Sequence, residues 1–125
     1  NHFRNYAPKV ELDPEKLKYA QDRFFNETNR LFGVLEVRLR DREFIAGPVS
    51  IADFASWPWI AVYKSQGQNL EDFPALNRWF GQCRVRPGFE KGRKVGEDLR
   101  ATALNADGKE AEEARKILFG QKARI

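Results

Sequence analysis

The eight residues from Gly47 to Phe54, Gly-Pro-Val-Ser-Ile-Ala-Asp-Phe, contain a complete signal for the start of a helix. Ser50 is the predicted N-cap, because its hydroxyl can accept a hydrogen bond from the backbone N–H of Asp53. The Asp53 carboxylate can in turn accept from the backbone N–H of Ser50, so that two otherwise unpaired donors are satisfied. This capping box predicts a structural, folding role for Ser50 and Asp53 rather than a catalytic one.

A long helix is predicted before this box. The sequence Asp13-Pro14-Glu15 offers an N-cap residue, a proline at the first helical position and an acid in the first turn, all typical of a helix start. Apolar or small residues then recur every three or four positions, which predicts one amphipathic helix to about Arg40. These recurring residues are Leu17, Ala20, Phe24, Thr28, Leu31, Leu35 and Leu39.

The helix that begins at the box is expected to continue to about Gln66 and to kink at Pro58, because proline lacks the backbone donor. Residues 57–63 are apolar nearly all round, which predicts a central, buried helix. Trp57 and Trp59 point about 200° apart on a helix. One of them is therefore expected in the core and the other at a surface.

Pro74 opens a further helix, which the sequence Arg86-Pro87-Gly88 ends. Its apolar face carries Leu76, Trp79, Phe80 and Cys83. The position of Cys83 on that face predicts a buried structural thiol rather than a reactive one.

Residues 89–95 and 109–119 are each predicted to form a short helix, the second of them amphipathic, with a loop at residues 97–108. No strand pattern competes with these helices, so the predicted class is an all-α bundle of about five helices. One domain is expected over residues 1–96, followed by a C-terminal extension over residues 97–125.

The composition limits the classes of function. The chain has one cysteine and one histidine, His2, which excludes an internal disulfide and any metal site built from cysteines or histidines. No run approaches the about 20 apolar residues that span a bilayer, and no signal peptide is visible, so a soluble, cytoplasmic protein without a membrane partner is expected. Because the chain contains no Met and opens with Asn, we expect it to be part of a longer protein.

Three motifs then occur together. They are Gly-x-x-Ser-Ile-Ala-Asp at residues 47–53, Trp-Pro-Trp at residues 57–59, and Phe-Pro-Ala-Leu-x-x-Trp at residues 73–79, with Arg-Pro following at residues 86–87. In these motifs the chain resembles the C-terminal helical domain of cytosolic glutathione transferases. Tyr-Ala-x-x-Arg-Phe at residues 19–24 and Glu-Thr-x-Arg-Leu at residues 27–31 are similar to the bacterial nu class, whose members include disulfide-bond reductases acting on glutathione disulfide.

The resemblance covers about residues 1–100 and implies a partner domain. Family members carry an N-terminal thioredoxin-like domain that supplies most glutathione contacts and the residue that activates the thiol, and nothing in this chain resembles it. The family's first helical segment, which forms much of the dimer interface, is also expected to be missing, since the similarity begins near His2 and Phe3. The complete protein is thus expected to be a homodimer with glutathione as co-substrate and no prosthetic group.

Arg23 is the candidate glutathione-binding residue, because it matches the position at which nu-class proteins place an arginine near glutathione disulfide. A guanidinium can pair with a glutathione carboxylate. Spacing alone supports an alternative, in which Arg23 forms a surface ion pair with Glu27 four residues later.

Aromatic residues near the start of the chain are the candidates for a second-substrate pocket: His2, Phe3, Tyr6 and Tyr19. Packing in the core is the alternative role for such side chains. No catalytic residue is predicted in this chain, which alone is expected to have little or no activity. The complete protein is expected to conjugate glutathione to electrophiles or to reduce disulfides with glutathione.

A basic cluster supports a hypothesis of another class. Five basic residues, Arg84, Arg86, Lys91, Arg93 and Lys94, stand against the single acid Glu90. Such a cluster can bind nucleic acid, but no nucleic-acid-binding motif is present, so nucleic acid is not an expected partner and a solvated edge is the simpler interpretation. The alternative function is a non-catalytic protein-interaction module, since helical domains of this kind also resemble docking modules in translation complexes.

Overall fold

The computed structural model describes residues 13–96 as four α-helices and two short 3₁₀-helices. The α-helices are α1 (Pro14–Leu39), α2 (Ile51–Ile60), α3 (Pro74–Arg84) and α4 (Pro87–Lys94), and the 3₁₀-helices Tyr63–Gln66 and Leu70–Asp72 lie between α2 and α3. No strand occurs within these residues, where an isolated bridge pairs Phe44 with Gly47. The all-α class is confirmed, while the helix predicted at residues 109–119 lies outside the described residues.

The chain divides into two compact units, residues 1–89 and residues 90–125, and the packing described below is that of the first. The division expected from the sequence, at residue 96, stays a prediction. Across residues 13–96, none of the helices combines the length and the apolar character needed to cross a bilayer.

Helix α1 begins as predicted. Asp13 Oδ1 accepts from the backbone N–H of Glu15 at 3.0 Å, and Pro14 occupies the first turn. The predicted apolar face is only partly correct, because Phe24 and Leu31 are 57% and 48% exposed. The buried side chains of α1 are Phe32 and Leu39, which lie two turns apart on the face that packs on α3.

Helix α2 is shorter than predicted. The capping box at Ser50 and Asp53 is confirmed, with both of its hydrogen-bonded arms present. The helix ends at Ile60 rather than near Gln66, and the chain continues through a turn into a 3₁₀-helix. Pro58 lies inside the helix, and the N–H of Ala61 still donates to the Trp57 carbonyl at 2.8 Å. That 3₁₀-helix stops at Gly67, whose φ of 77° is left-handed and suits glycine.

The prediction that α2 is buried all round is wrong. Trp57 and Ile60 are buried, but Ile51 is 84% and Trp59 is 70% exposed. The opposite environments predicted for Trp57 and Trp59 are therefore confirmed, because residues two apart on a helix project to opposite sides.

Helix α3 holds the centre of the core instead. It contacts both α1 and α2, and its residues Leu76, Trp79 and Cys83 have no exposed surface. Trp57 of α2 packs against it, with its ring stacked on Phe80 at a centroid distance of 5.5 Å. The buried position predicted for Cys83 is confirmed.

Polar contacts fix α1 against α3. Glu36 of α1 accepts a hydrogen bond from the backbone N–H of Leu76 at 2.9 Å. In return, the Arg78 guanidinium of α3 donates to the carbonyl oxygens of Leu39 and Arg42, at 2.6 and 2.7 Å. Each helix thus satisfies unpaired backbone groups at an end of the other.

Gln68 forms a further contact with α1. Its side chain is buried, its Nε2 donates to the carbonyl of Phe25 at 3.1 Å, and its Oε1 accepts from Asn29 Nδ2 at 2.9 Å. The segment that follows α2 is thereby hydrogen-bonded to the middle of α1.

Candidate functional site

Arg23 lies on the exposed side of α1. Its side chain is 59% exposed, and its Nη1 is 3.8 Å from Oε2 of Glu27. The ion pair expected from the spacing is therefore present, but 3.8 Å exceeds hydrogen-bond range. Glu27 instead accepts two hydrogen bonds from Arg30, at 2.9 and 2.7 Å.

The hydrogen bonds between Arg30 and Glu27 perturb both groups. They lower the pKa of the Glu27 carboxyl, against a smaller opposing effect of burial, and the charges of Arg30 and Arg23 lower it further. The same hydrogen bonds raise the pKa of the Arg30 guanidinium. At neutral pH two guanidinium groups accompany one carboxylate on this face, which leaves a net positive charge suited to an anion.

Tyr19 shares this face, because it precedes Arg23 by four residues, or about one turn. Its side chain is 74% exposed. The structure thus brings Tyr19 and Arg23 to one surface of α1. The other three pocket candidates, His2, Phe3 and Tyr6, lie outside the described residues.

Apolar side chains extend this surface along α1. Phe24, Leu31, Val34 and Val37 are between 48% and 61% exposed. The sequence periodicity predicts that Phe24 and Leu31 share the face of the core residue Leu39, and it does not predict the two valines on an exposed apolar face. The signal that could have revealed them is a second apolar stripe, since Phe24, Leu31 and Val34 are themselves spaced by seven and three residues.

The Asp53 carboxylate is buried and fully used in hydrogen bonding. Oδ1 accepts from the backbone N–H of Ile45 at 3.0 Å and from Trp79 Nε1 at 2.8 Å. Oδ2 accepts from the backbone N–H and the hydroxyl of Ser50, at 2.9 and 3.2 Å. Burial alone would raise the pKa of Asp53, but these hydrogen bonds outweigh it and lower the pKa.

Cys83 is not suited to nucleophilic chemistry in this fold. Burial and, to a smaller extent, the negative charge of Asp53 raise the pKa of its thiol to about 12, against the opposing charge of Arg86. Since the thiolate is the reactive form, Cys83 is protonated and inert at neutral pH.

No metal centre is evident in the described part of the chain. Across residues 13–96, no three histidine, cysteine, aspartate or glutamate side chains come together as metal ligands would.

All five basic residues of the cluster are exposed, and some of their charge is paired. In the first unit, the Arg86 guanidinium lies 5.6 Å from the ring centroid of Phe44, within cation–π range. In the second unit, Glu90 pairs with Arg93 at 3.1 Å and with Lys94 at 3.7 Å. These pairings agree with the interpretation of a solvated edge.

Comparison with known proteins identifies the family. The sequence model described as "Glutathione S-transferase, C-terminal domain" matches residues 4–87. The chain belongs to this family. The glutathione transferase C-terminal domain accounts for the helical fold and for the motifs at residues 47–53, 57–59 and 73–79, which confirms the resemblance read from the sequence.

Curated relatives of this glutathione transferase domain include two from Escherichia coli. The disulfide-bond oxidoreductase YfcG is 38% identical over 88 residues, or 70% of this chain and 39% of YfcG. The disulfide-bond oxidoreductase YghU is 34% identical over 102 residues, or 75% of this chain and 33% of YghU. An uncharacterized glutathione transferase-like protein of Streptococcus mutans is 42% identical over 103 residues, or 75% of this chain and 37% of that protein. The chain therefore spans no more than about two fifths of the length of these relatives.

Proposed function

We propose that this chain is the C-terminal domain of a glutathione-dependent enzyme that reduces disulfides or conjugates glutathione to electrophiles. In this proposal the outward face of α1 contributes Arg23 to bind a glutathione carboxylate. Tyr19, together with His2, Phe3 and Tyr6, lines the pocket for the second substrate. The domain has no catalytic residue of its own.

The observation that carries this proposal is the similarity to two relatives named disulfide-bond oxidoreductases, combined with the position of Arg23. Arg23 is exposed, its guanidinium is outside hydrogen-bond range of Glu27, and an exposed aromatic side chain lies one turn away. A guanidinium beside an aromatic ring suits a small anion with an apolar substituent.

The buried, protonated Cys83 bears on which thiolate attacks the disulfide substrate. The one cysteine of this chain is buried and protonated, so this domain supplies no attacking thiolate. In the proposal, glutathione supplies this thiolate. It attacks one sulfur of the disulfide substrate and releases the other as a thiolate, and a second glutathione thiolate then resolves the mixed disulfide. The substrate disulfide is reduced to two thiols, while two glutathione molecules are oxidised to glutathione disulfide.

The proposal includes a thioredoxin-like N-terminal domain in the same polypeptide and a homodimer. The relatives are more than twice as long as the matched segment, which leaves room for such a domain. Its occupation of the α1 face would remove exposed apolar side chains such as Leu31 and Val34 from water. Since the reaction consumes reduced glutathione, we place the enzyme in the cytoplasm.

The test compares the full-length protein encoded by the gene with the 125-residue chain. Each is assayed with glutathione and either a small aliphatic disulfide or chlorodinitrobenzene. Turnover is expected from the full-length protein and not from the 125-residue chain. Absence of turnover from the full-length protein, together with its stable capture by a larger protein, would instead favour the non-catalytic interaction module.

The role of Arg23 is tested by Arg23→Ala in the full-length protein. Loss of one charge-assisted hydrogen bond is expected to raise KM for glutathione about tenfold with little change in melting temperature. Arg40→Ala, which removes an exposed arginine at the other end of α1, is the matched control. An unchanged KM in Arg23→Ala would reduce Arg23 to a partner of Glu27.

A further inference from the structure

Helix α1 consists of two halves that differ in burial. Its buried residues, Phe32 and Leu39, both lie in the C-terminal half. In residues 14–27 no side chain is buried. The half that carries Tyr19 and Arg23 therefore lies at the margin of the core, where packing constrains its direction less.

Gln68 makes contact at the junction of these halves. Its side chain is 6% exposed and bonds both to the Phe25 carbonyl and to the Asn29 amide. Its backbone is fixed as well, because Gly67 is left-handed and the N–H of Gln68 donates to the Tyr63 carbonyl at 3.0 Å. A rigid anchor thus holds one particular turn of α1.

A second side chain acts on the same turn. The hydroxyl of Thr28 donates to the Phe24 carbonyl at 2.8 Å, next to the Phe25 carbonyl that Gln68 engages. Side-chain donors to helical carbonyls pull those carbonyls outward and bend a helix. Two successive carbonyls are held in this way, immediately after Arg23.

We propose that Gln68 is a positioning residue for Arg23. It sets the direction of residues 14–23 relative to the packed half of α1, and so fixes where the Arg23 guanidinium meets glutathione. Gln68 itself bonds to Phe25 and Asn29 on the core side and does not touch the substrate. The inference rests on the proposed function and adds to it a residue that lies 45 positions after Arg23 in the sequence.

The kinetic test uses Gln68→Leu in the full-length protein. Leucine is of similar size but makes neither hydrogen bond, so KM for glutathione is expected to rise about fivefold while kcat changes less than twofold, as loss of substrate positioning predicts.

Gln66→Leu is the control for changing a glutamine of this segment to leucine. Gln66 lies two residues away and donates to the Trp59 carbonyl at 3.2 Å, so the same substitution there breaks a contact that does not involve α1. KM is expected to stay unchanged in this variant. An equal rise of KM in Gln66→Leu and Gln68→Leu would show a general effect of destabilisation and overturn the proposal.

A double-mutant cycle with Arg23→Ala decides whether Gln68 acts through Arg23. If it does, Gln68→Leu causes no further rise of KM in the Arg23→Ala background. A fivefold rise in that background as well would overturn the positioning role but leave the proposed function intact. An unchanged KM in Arg23→Ala alone would overturn the glutathione-binding role of Arg23 and, with it, the positioning role of Gln68, whereas the proposed reaction is tested separately by turnover of the full-length protein.

A distance measurement on the 125-residue chain provides a readout without activity. Spin labels are attached at Lys18→Cys and Asn77→Cys, two exposed positions on α1 and α3, while the buried Cys83 stays unreactive. Gln68→Leu is expected to shift or broaden the distance distribution, and Gln66→Leu to leave it unchanged. An identical distribution in Gln68→Leu would overturn the proposal whatever the kinetics.

Discussion

At the scale of single residues, Asp53 accepts four hydrogen bonds from three separate parts of the chain: Ile45, the N-cap Ser50, and Trp79 of α3. A capping box accounts for the bonds from Ser50 alone. The other two join the loop before α2, and α3 itself, to the start of α2. Asp53 is therefore a structural junction, which explains why this buried carboxylate is tolerated although no cationic side chain of residues 13–96 pairs with it.

Asp53→Asn tests this junction through the pH dependence of stability. Because the folded-state pKa of Asp53 is lowered, its contribution is present above the unfolded-state pKa, about 3.9, and is lost as the pH falls through the folded-state value. The variant is expected to be less stable by about 1–3 kcal/mol at pH 7, since an amide cannot accept all four hydrogen bonds. Thermal unfolding between pH 2 and 7 should show the difference shrinking towards acid.

Asp72→Asn is the control for that experiment, because Asp72 is an exposed aspartate of the second 3₁₀-helix. Its melting temperature should depend on pH in the same way as that of the unmodified chain, so that the difference between them is constant. A constant difference between Asp53→Asn and the unmodified chain across the whole pH range would contradict the assigned role of the carboxylate.

The reach of sequence reasoning is clear at Asp53. Ser50 lies three residues away, and a local motif with known geometry predicts that contact. Trp79 lies 26 residues away, and its hydrogen bond depends on how α3 crosses α2, which no local pattern specifies. The contacts of Gln68 could not be predicted for the same reason, because they join residues 39 and 43 positions apart, Asn29 and Phe25.

At the scale of helices, α3 begins without a cap from its own sequence. Its N-cap position, Phe73, provides no side-chain hydrogen bond, and Glu36 of α1 supplies a carboxylate to the Leu76 N–H instead. A negative charge at a helix N-terminus is favourable because of the helix dipole. The start of α3 therefore depends on α1 being in place.

Glu36→Ala tests this dependence. Removing the cap is expected to lower the free energy of unfolding by about 1 kcal/mol, as loss of an N-cap does. Urea unfolding followed by circular dichroism measures it, with the exposed Glu43→Ala as control. Equal stability of the two variants would show that α3 needs no cap from α1.

The error over α2 also arises at this scale. Its apolar composition predicted burial all round, but the described residues cover only the side of Trp57 and Ile60. The amino-acid composition of a helix limits how much apolar surface it can bury, but the neighbouring helices determine how much of that surface is buried. Ile51 and Trp59 are exposed because nothing in residues 13–96 packs over them.

At the scale of the whole molecule, the exposed apolar side chains of α1 and α2 imply a measurable difference between this chain and the full-length protein. The 125-residue chain is expected to enhance the fluorescence of the apolar dye ANS, because the α1 face, including Leu31 and Val34, is open to water. The full-length protein is expected to enhance it several-fold less per mole. A double substitution, Leu31→Lys with Val34→Lys, should reduce dye binding by the chain without lowering its melting temperature.

The opposite result has a definite meaning. Equal dye fluorescence from the chain and the full-length protein would contradict the proposed cover by an N-terminal domain. Dye binding by the chain that falls as its concentration rises would instead indicate that copies of the chain cover one another.

The tryptophans give this molecule its own optical labels. Trp57 and Trp79 are 3% and 0% exposed, while Trp59 is 70% exposed, and the chain contains no other indole. Long-wavelength emission and acrylamide quenching should therefore come from Trp59, and short-wavelength emission from the other two. A protein that binds to the outer side of α2 would bury Trp59 and shift its fluorescence emission to shorter wavelength. This shift can be measured without any dye, tag or mutation.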